Sequence, residues 1–213
     1  MVVSGPSGAG KDTVCQKLLE IHPNAWISVS CTSRDPRKGE VEGESYFFLT
    51  RKQFEKKIES GELLEYAEYT GNYYGTPRDK VNEFLEQGRD VILVIEVQGA
   101  KKIKELVPDA LFVFILPPTM RELKRRLTSR GTDSEEKILK RFKTAYQEIN
   151  ELSKYNYVVV NDDVELAAQK VKSILLSERC RVDRIEEVFV NTSEEEMHEL
   201  LMDKEFDNSI HEI

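Results

Sequence analysis

A glycine-rich run near the start of the chain has the spacing of a phosphate-binding loop. It extends from Gly5 to Thr13 and fits the pattern G-x-x-x-x-G-K, with Lys11 as the lysine. Glycines let backbone N–H groups close around phosphate oxygens, and the following helix adds its positive N-terminal dipole. An apolar run precedes the loop and an amphipathic segment follows it, so a chance glycine-rich turn is disfavoured. We predict a nucleoside triphosphate site formed by Gly5, Pro6, Ser7, Gly8, Ala9, Gly10, Lys11, Asp12 and Thr13.

One position departs from this pattern. Asp12 stands where Ser or Thr commonly offers a hydroxyl to Mg²⁺, and Thr13 comes one residue late. An aspartate close to phosphates adds repulsion unless it meets Mg²⁺ or Lys11, but a carboxylate is favourable at a helix N-terminus. We favour the second, harmless placement of Asp12, and we assign Thr13 as a metal contact that acts largely through water.

A second group of residues with phosphate chemistry follows between positions 30 and 76. Arg34 and Arg37 flank a proline, and arginine is suited to bidentate binding of phosphate oxygens. Tyr46 and Tyr74 add phenol hydroxyls. Glu65 is an acceptor-only carboxylate, which would satisfy the adjacent N1–H and amino donors of guanine but not the N1 acceptor of adenine. Taken singly, each residue also fits a solvated loop, and their order along the chain is what favours a site.

Composition excludes several classes of protein. The net charge of −8 comes from residues 182–213, where eleven Asp and Glu face two Lys and Arg, so the preceding residues are nearly neutral and do not predict nucleic-acid binding. No apolar run reaches the roughly 20 residues of a membrane span. The loop begins almost at once, so we expect no signal peptide. Three cysteines without metal-ligand spacing predict reduced thiols in a cytoplasmic protein.

The distribution of apolar runs predicts an α/β protein. Val91–Val97 is apolar except for Glu96 and Leu111–Leu116 is apolar throughout, as in parallel strands covered on both faces, and they alternate with helical segments. Residues 33–80 break this rhythm with short strands and turns. We predict a domain at 1–181, with a parallel-sheet core of the phosphate-loop type at 1–32 and 81–181, a small mixed α/β lobe inserted at about 33–80, a helical lid at about 120–150, and an acidic extension at 182–213, disordered or helical.

Two arginines in the predicted lid are eleven residues apart. Arg130 and Arg141 flank a glycine-containing turn, and basic side chains beside such a turn suit a lid that closes over phosphates. A solvated helix face is the alternative, because Lys124, Arg125 and Arg126 surround them with similar charge.

The chain closely resembles the guanylate kinase family over about residues 1–178. The motifs are G-P-S-G-A-G-K, S-x-T-S-R-D-P-R-K-G-E, G-N-Y-Y-G-T, I-E-V-Q-G, S-R-G-T and V-N-D-D, in this order. The resemblance implies that ATP and GMP give ADP and GDP, with Mg²⁺. It departs at Val94, where many relatives have an acidic residue near the metal.

The resemblance also implies roles for single residues. The phosphate of GMP would be held by Arg34, Arg37, Tyr46 and Tyr74, and its guanine would be contacted or positioned by Ser30, Glu65, Thr76 and Glu96. Asn161 would lie near the adenine of ATP, and the catalytic cations would be Lys11, Arg37, Arg130 and Arg141. Whether dGMP is accepted, and whether the protein is a monomer or a homodimer, stays open.

A non-catalytic phosphopeptide-binding module of the same family is the alternative function. Such modules typically have a degraded phosphate loop and incomplete lid arginines. This chain retains both features, and Glu65 with the tyrosines opposes a kinase for another nucleoside monophosphate.

Overall fold

The computed structural model describes residues 1–37, 39–69, 71–129 and 135–184. Within these residues the elements are, in chain order, β1 (Val2–Ser4), α1 (Lys11–Ile21), β2 (Ala25–Ile27), β3 (Cys31–Thr32), β4 (Phe47–Phe48), α2 (Arg51–Glu59), β5 (Leu63–Tyr69), β6 (Asn72–Pro77), α3 (Arg78–Glu86), β7 (Asp90–Val94), α4 (Val97–Leu106), β8 (Phe112–Leu116), α5 (Met120–Thr128), α6 (Glu135–Ile149), β9 (Tyr157–Val160) and α7 (Val164–Glu178). A short 3₁₀ turn covers Leu152–Lys154. None of the described helices combines the length and apolar character needed to cross a bilayer.

A five-stranded parallel sheet forms the centre of the fold. Its strand order is β2-β7-β1-β8-β9, so β1 lies between β7 and β8 and pairs with both. In a parallel sheet the carboxyl ends of all strands meet at one edge, and ligands bind in the crevice outside that edge. The glycine-rich run that follows β1 therefore emerges at the middle of the binding edge. The predicted parallel sheet flanked by helices is confirmed.

Apolar side chains from both faces hold this sheet in place. Strands β1, β7 and β8 contribute nearly continuous buried residues, as expected for strands covered on both sides. Ile103 and Ala100 of α4 pack on one face, and Trp26 stacks on Phe84 of α3 with ring centroids 4.0 Å apart. This rigid support fixes the position of every loop at the carboxyl edge.

A second, mixed sheet has the strand order β4-β3-β6-β5. Strands β3 and β4 are parallel, whereas β6 is antiparallel to both of its neighbours. Helix α2 covers this sheet with Phe54, which is fully buried and stacks on Tyr73 of β6. A capping box between Thr50 and Gln53 fixes the start of α2. This mixed sheet agrees with an inserted lobe, whose limits of about 33–80 stay a prediction.

The chain divides into two units, Met1–Lys172 and Ser173–Ile213. Both sheets and the candidate site belong entirely to the first unit. Most of the predicted acidic extension, residues 185–213, lies outside the described residues, and so do Arg130 and the turn that follows it. The extension and the lid turn therefore stay predictions.

Candidate functional site

The loop between β1 and α1 has a backbone that only glycine accommodates at key positions. Gly10 has φ of +90° and precedes α1, and a Cβ there would lie 2.3 Å from Nδ2 of Asn161. At Gly5 a Cβ would lie 2.2 Å from the carbonyl oxygen of Ile115 in β8. A side chain at Gly5 would therefore require backbone movement, and one at Gly10 would displace the Asn161 amide or the loop. The glycine spacing thus reflects both dihedral angle and close approach of neighbouring elements.

Side chains from distant parts of the chain brace the loop from behind. The amide of Asn161 donates to the carbonyl of Ala9 at 2.8 Å, and Arg126 donates to the same carbonyl at 3.2 Å and to the carbonyl of Asn161 at 3.0 Å. The Nε of Arg126 also donates to Glu122 at 2.8 Å. These bonds fix the backbone of the loop at Ala9.

The hydrogen bonds to Ala9 show that Asn161 and Arg126 support the loop backbone. Asn161 is 3% exposed and its amide is engaged with the loop backbone, so its contact with ATP stays a prediction. Sequence analysis does not single out Arg126, because it lies among other basic residues of α5. The helical spacing from Glu122 to Arg126 is the signal that points to an ordered pair.

Lys11 lies at the mouth of the loop. Its Nζ donates to the carbonyl of Gly5 at 2.7 Å and lies 3.8 Å from Oε2 of Glu96. Asp12 and Thr13 follow in the first turn of α1 and are both exposed. The loop therefore presents a cation, helix-terminal N–H groups, a carboxylate and a hydroxyl to the same space.

One cleft of about 690 Å³ joins the loop to the second sheet. Its lining includes thirteen predicted site residues from the loop, the second sheet region and the lid: Ser7, Gly8, Gly10, Lys11, Asp12, Thr13, Ser30, Arg34, Arg37, Tyr46, Tyr74, Glu96 and Arg141. The predicted contacts Gly5, Pro6, Ala9, Glu65, Thr76 and Asn161 lie outside this lining. Residues far apart in sequence thus face one another across a single space.

The end of the cleft beside the second sheet, which we call the acceptor side, contains Arg34, Arg37, Tyr46 and Tyr74. The Arg34 guanidinium lies at its centre. It lies over the ring of Tyr46 at 5.4 Å and over that of Phe48 at 5.9 Å. The Tyr46 and Tyr74 rings meet edge to face at 6.1 Å. Burial and the nearby carboxylate of Asp12 raise the pKa of Tyr46 to about 12, so its hydroxyl remains a donor at neutral pH. Cation and phenol donors therefore coexist at this end.

Glu65 and Thr76 form a buried pair across strands β5 and β6. They are register partners, and the Thr76 hydroxyl donates to Oε1 of Glu65 at 2.8 Å. Glu65 is 6% exposed, and burial raises the pKa of its carboxyl despite the Thr76 hydrogen bond. Its other oxygen approaches Gly99 of α4, where a Cβ would lie 2.6 Å away. The carboxylate of Glu65 is therefore almost fully buried and held in place by Thr76.

Helix α6 reaches the loop through two charged side chains. Arg141 donates to the Ser7 hydroxyl at 2.7 Å. Glu148 lies two turns after Arg141 on the same helix. Burial and the nearby charge of Glu96 raise the pKa of Glu148 to about 7, although Lys11 and the Ser7 backbone N–H favour its ionised form. Sequence analysis missed Glu148, because nothing local distinguishes it from the other charges of α6.

The oxygen atoms near Lys11 suit a hard divalent cation. Asp12 and Thr13 offer a carboxylate and a hydroxyl, and Oε2 of Glu96 is buried without a hydrogen-bond partner among the described residues. Within those residues no cluster of three or more His, Cys, Asp or Glu forms a metal cage. This donor set fits an ion that keeps water and takes further ligands from phosphates, as Mg²⁺ does.

Comparison with known proteins gives one consistent result. The family model described as guanylate kinase matches residues 1–178. A guanylate kinase of Clostridium perfringens is 54% identical over 203 residues, which cover 95% of this chain and 94% of that protein. A guanylate kinase of Lactococcus lactis is 54% identical, covering 90% and 93%.

A solved structure agrees with the sequence relatives. The crystal structure of guanylate kinase from Anaplasma phagocytophilum superposes with a TM-score of 0.75 at 37% identity, covering 90% of this chain and 93% of that one. A model match over most of the chain, joined to relatives of this identity, is sufficient to assign membership. The chain belongs to the guanylate kinase family.

Proposed function

We propose that this protein transfers the γ-phosphoryl group of ATP to GMP, giving ADP and GDP. The observation that carries the proposal is the single cleft in which a braced phosphate loop with Lys11 faces Arg34 and Arg37 with their tyrosines. One set suits a triphosphate and the other a phosphate monoester, and transfer between them needs both in one space.

Charge placement accounts for most of the expected catalysis. The loop N–H groups and Lys11 bind the β- and γ-phosphates of ATP. Arg37 and Arg141, together with Arg130 outside the described residues, neutralise charge as it spreads over the transferred group. The attacking oxygen of GMP is already anionic near neutral pH, so no side chain must remove a proton. This is why the site functions without a histidine base.

The guanine base is assigned to the buried pair of the second sheet. Thr76 holds one oxygen of Glu65, so the other oxygen is available to the N1–H and amino donors of guanine. Ser30 and Glu96, which line the cleft, are assigned to the same base. Adenine would leave the carboxylate facing an acceptor, which explains selection for GMP.

Thr13, Asp12 and Glu96 would hold a divalent cation, Mg²⁺ in this proposal. When bound, the cation would supply positive charge that neutralises the phosphates. Val94 also lines the cleft and has no side-chain oxygen, so the protein contacts to the cation would be few and largely through water. We place the reaction in the cytoplasm, a reducing compartment that suits the free cysteines Cys15, Cys31 and Cys180.

The test is ADP release with Mg-ATP and each of GMP, dGMP, AMP, UMP and CMP. We expect turnover selective for the guanine nucleotides. Lys11→Met should lower kcat at least about a hundredfold, because it removes the cation at the transferred phosphate. Lys17→Met is the matched control, since Lys17 lies on the same helix but pairs with Glu20 and Glu165, each at 3.0 Å.

Folded protein that binds GMP but turns over none of these nucleotides would contradict the proposal. The phosphopeptide-binding module would then be the better description. The intact, braced loop is the observation that disfavours that outcome.

A further inference from the structure

Glu40 joins the two arginines of the acceptor side through one carboxylate. Arg34 donates to it with both terminal nitrogens, at 2.9 Å to Oε1 and 3.0 Å to Oε2. The backbone N–H of Arg37 donates to Oε2 at 2.6 Å, and the N–H of Glu40 returns a bond to the Arg37 carbonyl at 3.1 Å. Nη1 of Arg34 also donates to the Asp35 carbonyl at 2.6 Å, but Glu40 is the side chain that contacts both terminal nitrogens of Arg34 and the backbone of Arg37.

The pair is partly shielded from water, which strengthens it. Side-chain exposure is 13% for Arg34 and 20% for Glu40. Burial opposes ionisation of Glu40, but the hydrogen bonds from Arg34 and Arg37 outweigh it and hold the pKa of this carboxyl below its ordinary value. A bidentate guanidinium–carboxylate pair is among the stronger and more directional hydrogen-bonded arrangements in proteins. Glu40 is therefore an anion with a fixed orientation at neutral pH.

The same contacts leave one donor of Arg34 without a partner. Its Nε is buried and has no hydrogen bond to any residue that the structure describes. Both Arg34 and Glu40 line the cleft. A buried N–H without a partner is costly, and an incoming phosphate oxygen is the acceptor that the proposed substrate supplies.

We propose that Glu40 is a positioning residue for the acceptor phosphate. It holds the two terminal nitrogens of Arg34, so that the Nε–H of Arg34 is left to donate to the phosphate. It also accepts from the backbone N–H of Arg37 and so fixes the turn that carries this arginine. This inference rests on the proposed function, because it assumes that the phosphate of GMP binds at these arginines. The alternative is that Glu40 is an internal counter-ion, which GMP displaces. The carboxylate accepts three hydrogen bonds, one of them from the backbone N–H of Arg37, and these favour a permanent brace.

Substitutions at Glu40 separate these two roles. Glu40→Gln keeps one acceptor oxygen, and Glu40→Ala keeps none. We expect Glu40→Ala to raise the KM for GMP roughly tenfold or more and Glu40→Gln to raise it less, with the KM for ATP within about twofold of wild type. Glu59→Gln is the matched control. It removes the same charge, but Glu59 is exposed on α2, the helix that covers the second sheet.

Three results would overturn the proposal. A lower KM for GMP in Glu40→Gln would identify an internal counter-ion, and an unchanged KM in both variants would remove any role. Parallel losses for GMP and ATP with a lower Tm would indicate a structural role alone. Wild-type protein without GMP turnover would refute the proposed function instead, and calorimetric titration of GMP into the same variants would still decide the role of Glu40.

Discussion

The phosphate loop and the acceptor side of the cleft are held in shape by different kinds of interaction. In the loop, cationic and amide side chains donate to backbone carbonyls, as Lys11 does to Gly5 and Asn161 to Ala9. On the acceptor side, carboxylates receive the bonds, with Glu40 holding Arg34 and Glu65 holding Thr76. The first arrangement has acceptors that do not titrate, and the second depends on ionised acids.

This difference implies different weaknesses in the two regions. The loop should respond mainly to changes of shape, because its close approaches leave no space for an added atom. The acceptor side should respond mainly to changes of charge at constant shape. Substitutions that change shape but keep charge, or change charge but keep shape, test this difference between the two regions.

Gly10→Ala is expected to have the largest effect. The new Cβ meets the Asn161 amide at 2.3 Å and sits at φ of +90°, so the loop must move or lose its brace. We expect a loss of at least about 2 kcal/mol in the free energy of unfolding and at least a tenfold higher KM for ATP.

Gly88→Ala is the matched control for this substitution. Gly88 also has a positive φ, of +69°, but nothing lies within 4 Å of its added Cβ. Gly88→Ala should lower the free energy of unfolding by about 1 kcal/mol, because alanine disfavours the left-handed backbone conformation. Chemical denaturation of both variants measures the difference, and equal losses would show that the contact with Asn161 does not matter.

Glu65→Gln tests the acceptor side at constant shape. Gln can still accept from Thr76, but its amide group turns a donor toward the donors of guanine. We expect the KM for GMP to rise roughly tenfold or more while the KM for ATP stays unchanged. Thermal stability should not fall, because the substitution removes a buried charge.

Glu68→Gln on the same strand is the control for Glu65→Gln. Glu68 is exposed and lies 3.9 Å from Arg51. Steady-state kinetics with both nucleotides should leave this control at wild-type values. Equal losses for GMP and ATP in Glu65→Gln would argue against guanine recognition by Glu65.

The raised pKa of Glu148, where α6 meets the loop, predicts a smaller effect: the free energy of unfolding should depend on pH. Its pKa is raised to about 7 in the folded protein, against an ordinary value near 4.5. The folded state therefore binds the extra proton between about pH 5 and 7, and stability falls as the pH rises through this range. Glu96 and Lys11, with the Ser7 N–H, are the groups that act on Glu148.

Glu148→Gln should remove this dependence, and at pH 8 it should be more stable than wild type by about 2 kcal/mol. Denaturation between pH 5 and 8 measures the two curves. Glu136→Gln, exposed in the first turn of the same helix, should follow the wild-type curve. Parallel curves for wild type and Glu148→Gln would show that Glu148 does not hold a proton in this range.

Local patterns were sufficient for the framework of this protein. The glycine spacing predicted the loop, because dihedral angle and close approach restrict those positions to glycine. Apolar runs such as Leu111–Leu116 predicted parallel strands, because a strand covered on both faces leaves no polar position. The broken rhythm of residues 33–80 likewise anticipated a second, mixed sheet.

Partners distant in sequence were decided by the tertiary structure. Asn161 and Ala9 are 152 positions apart, and Arg126 and Ala9 are 117 apart, so no local spacing links them. The approach of Glu65 to Gly99 of α4 and the raised pKa of Glu148 beside Glu96 likewise depend on elements distant in sequence. By itself, the sequence determined which residue types and backbone shapes are available. The packing of elements decided which charges lose water and which donors they meet, because desolvation and hydrogen bonding depend on distance in space.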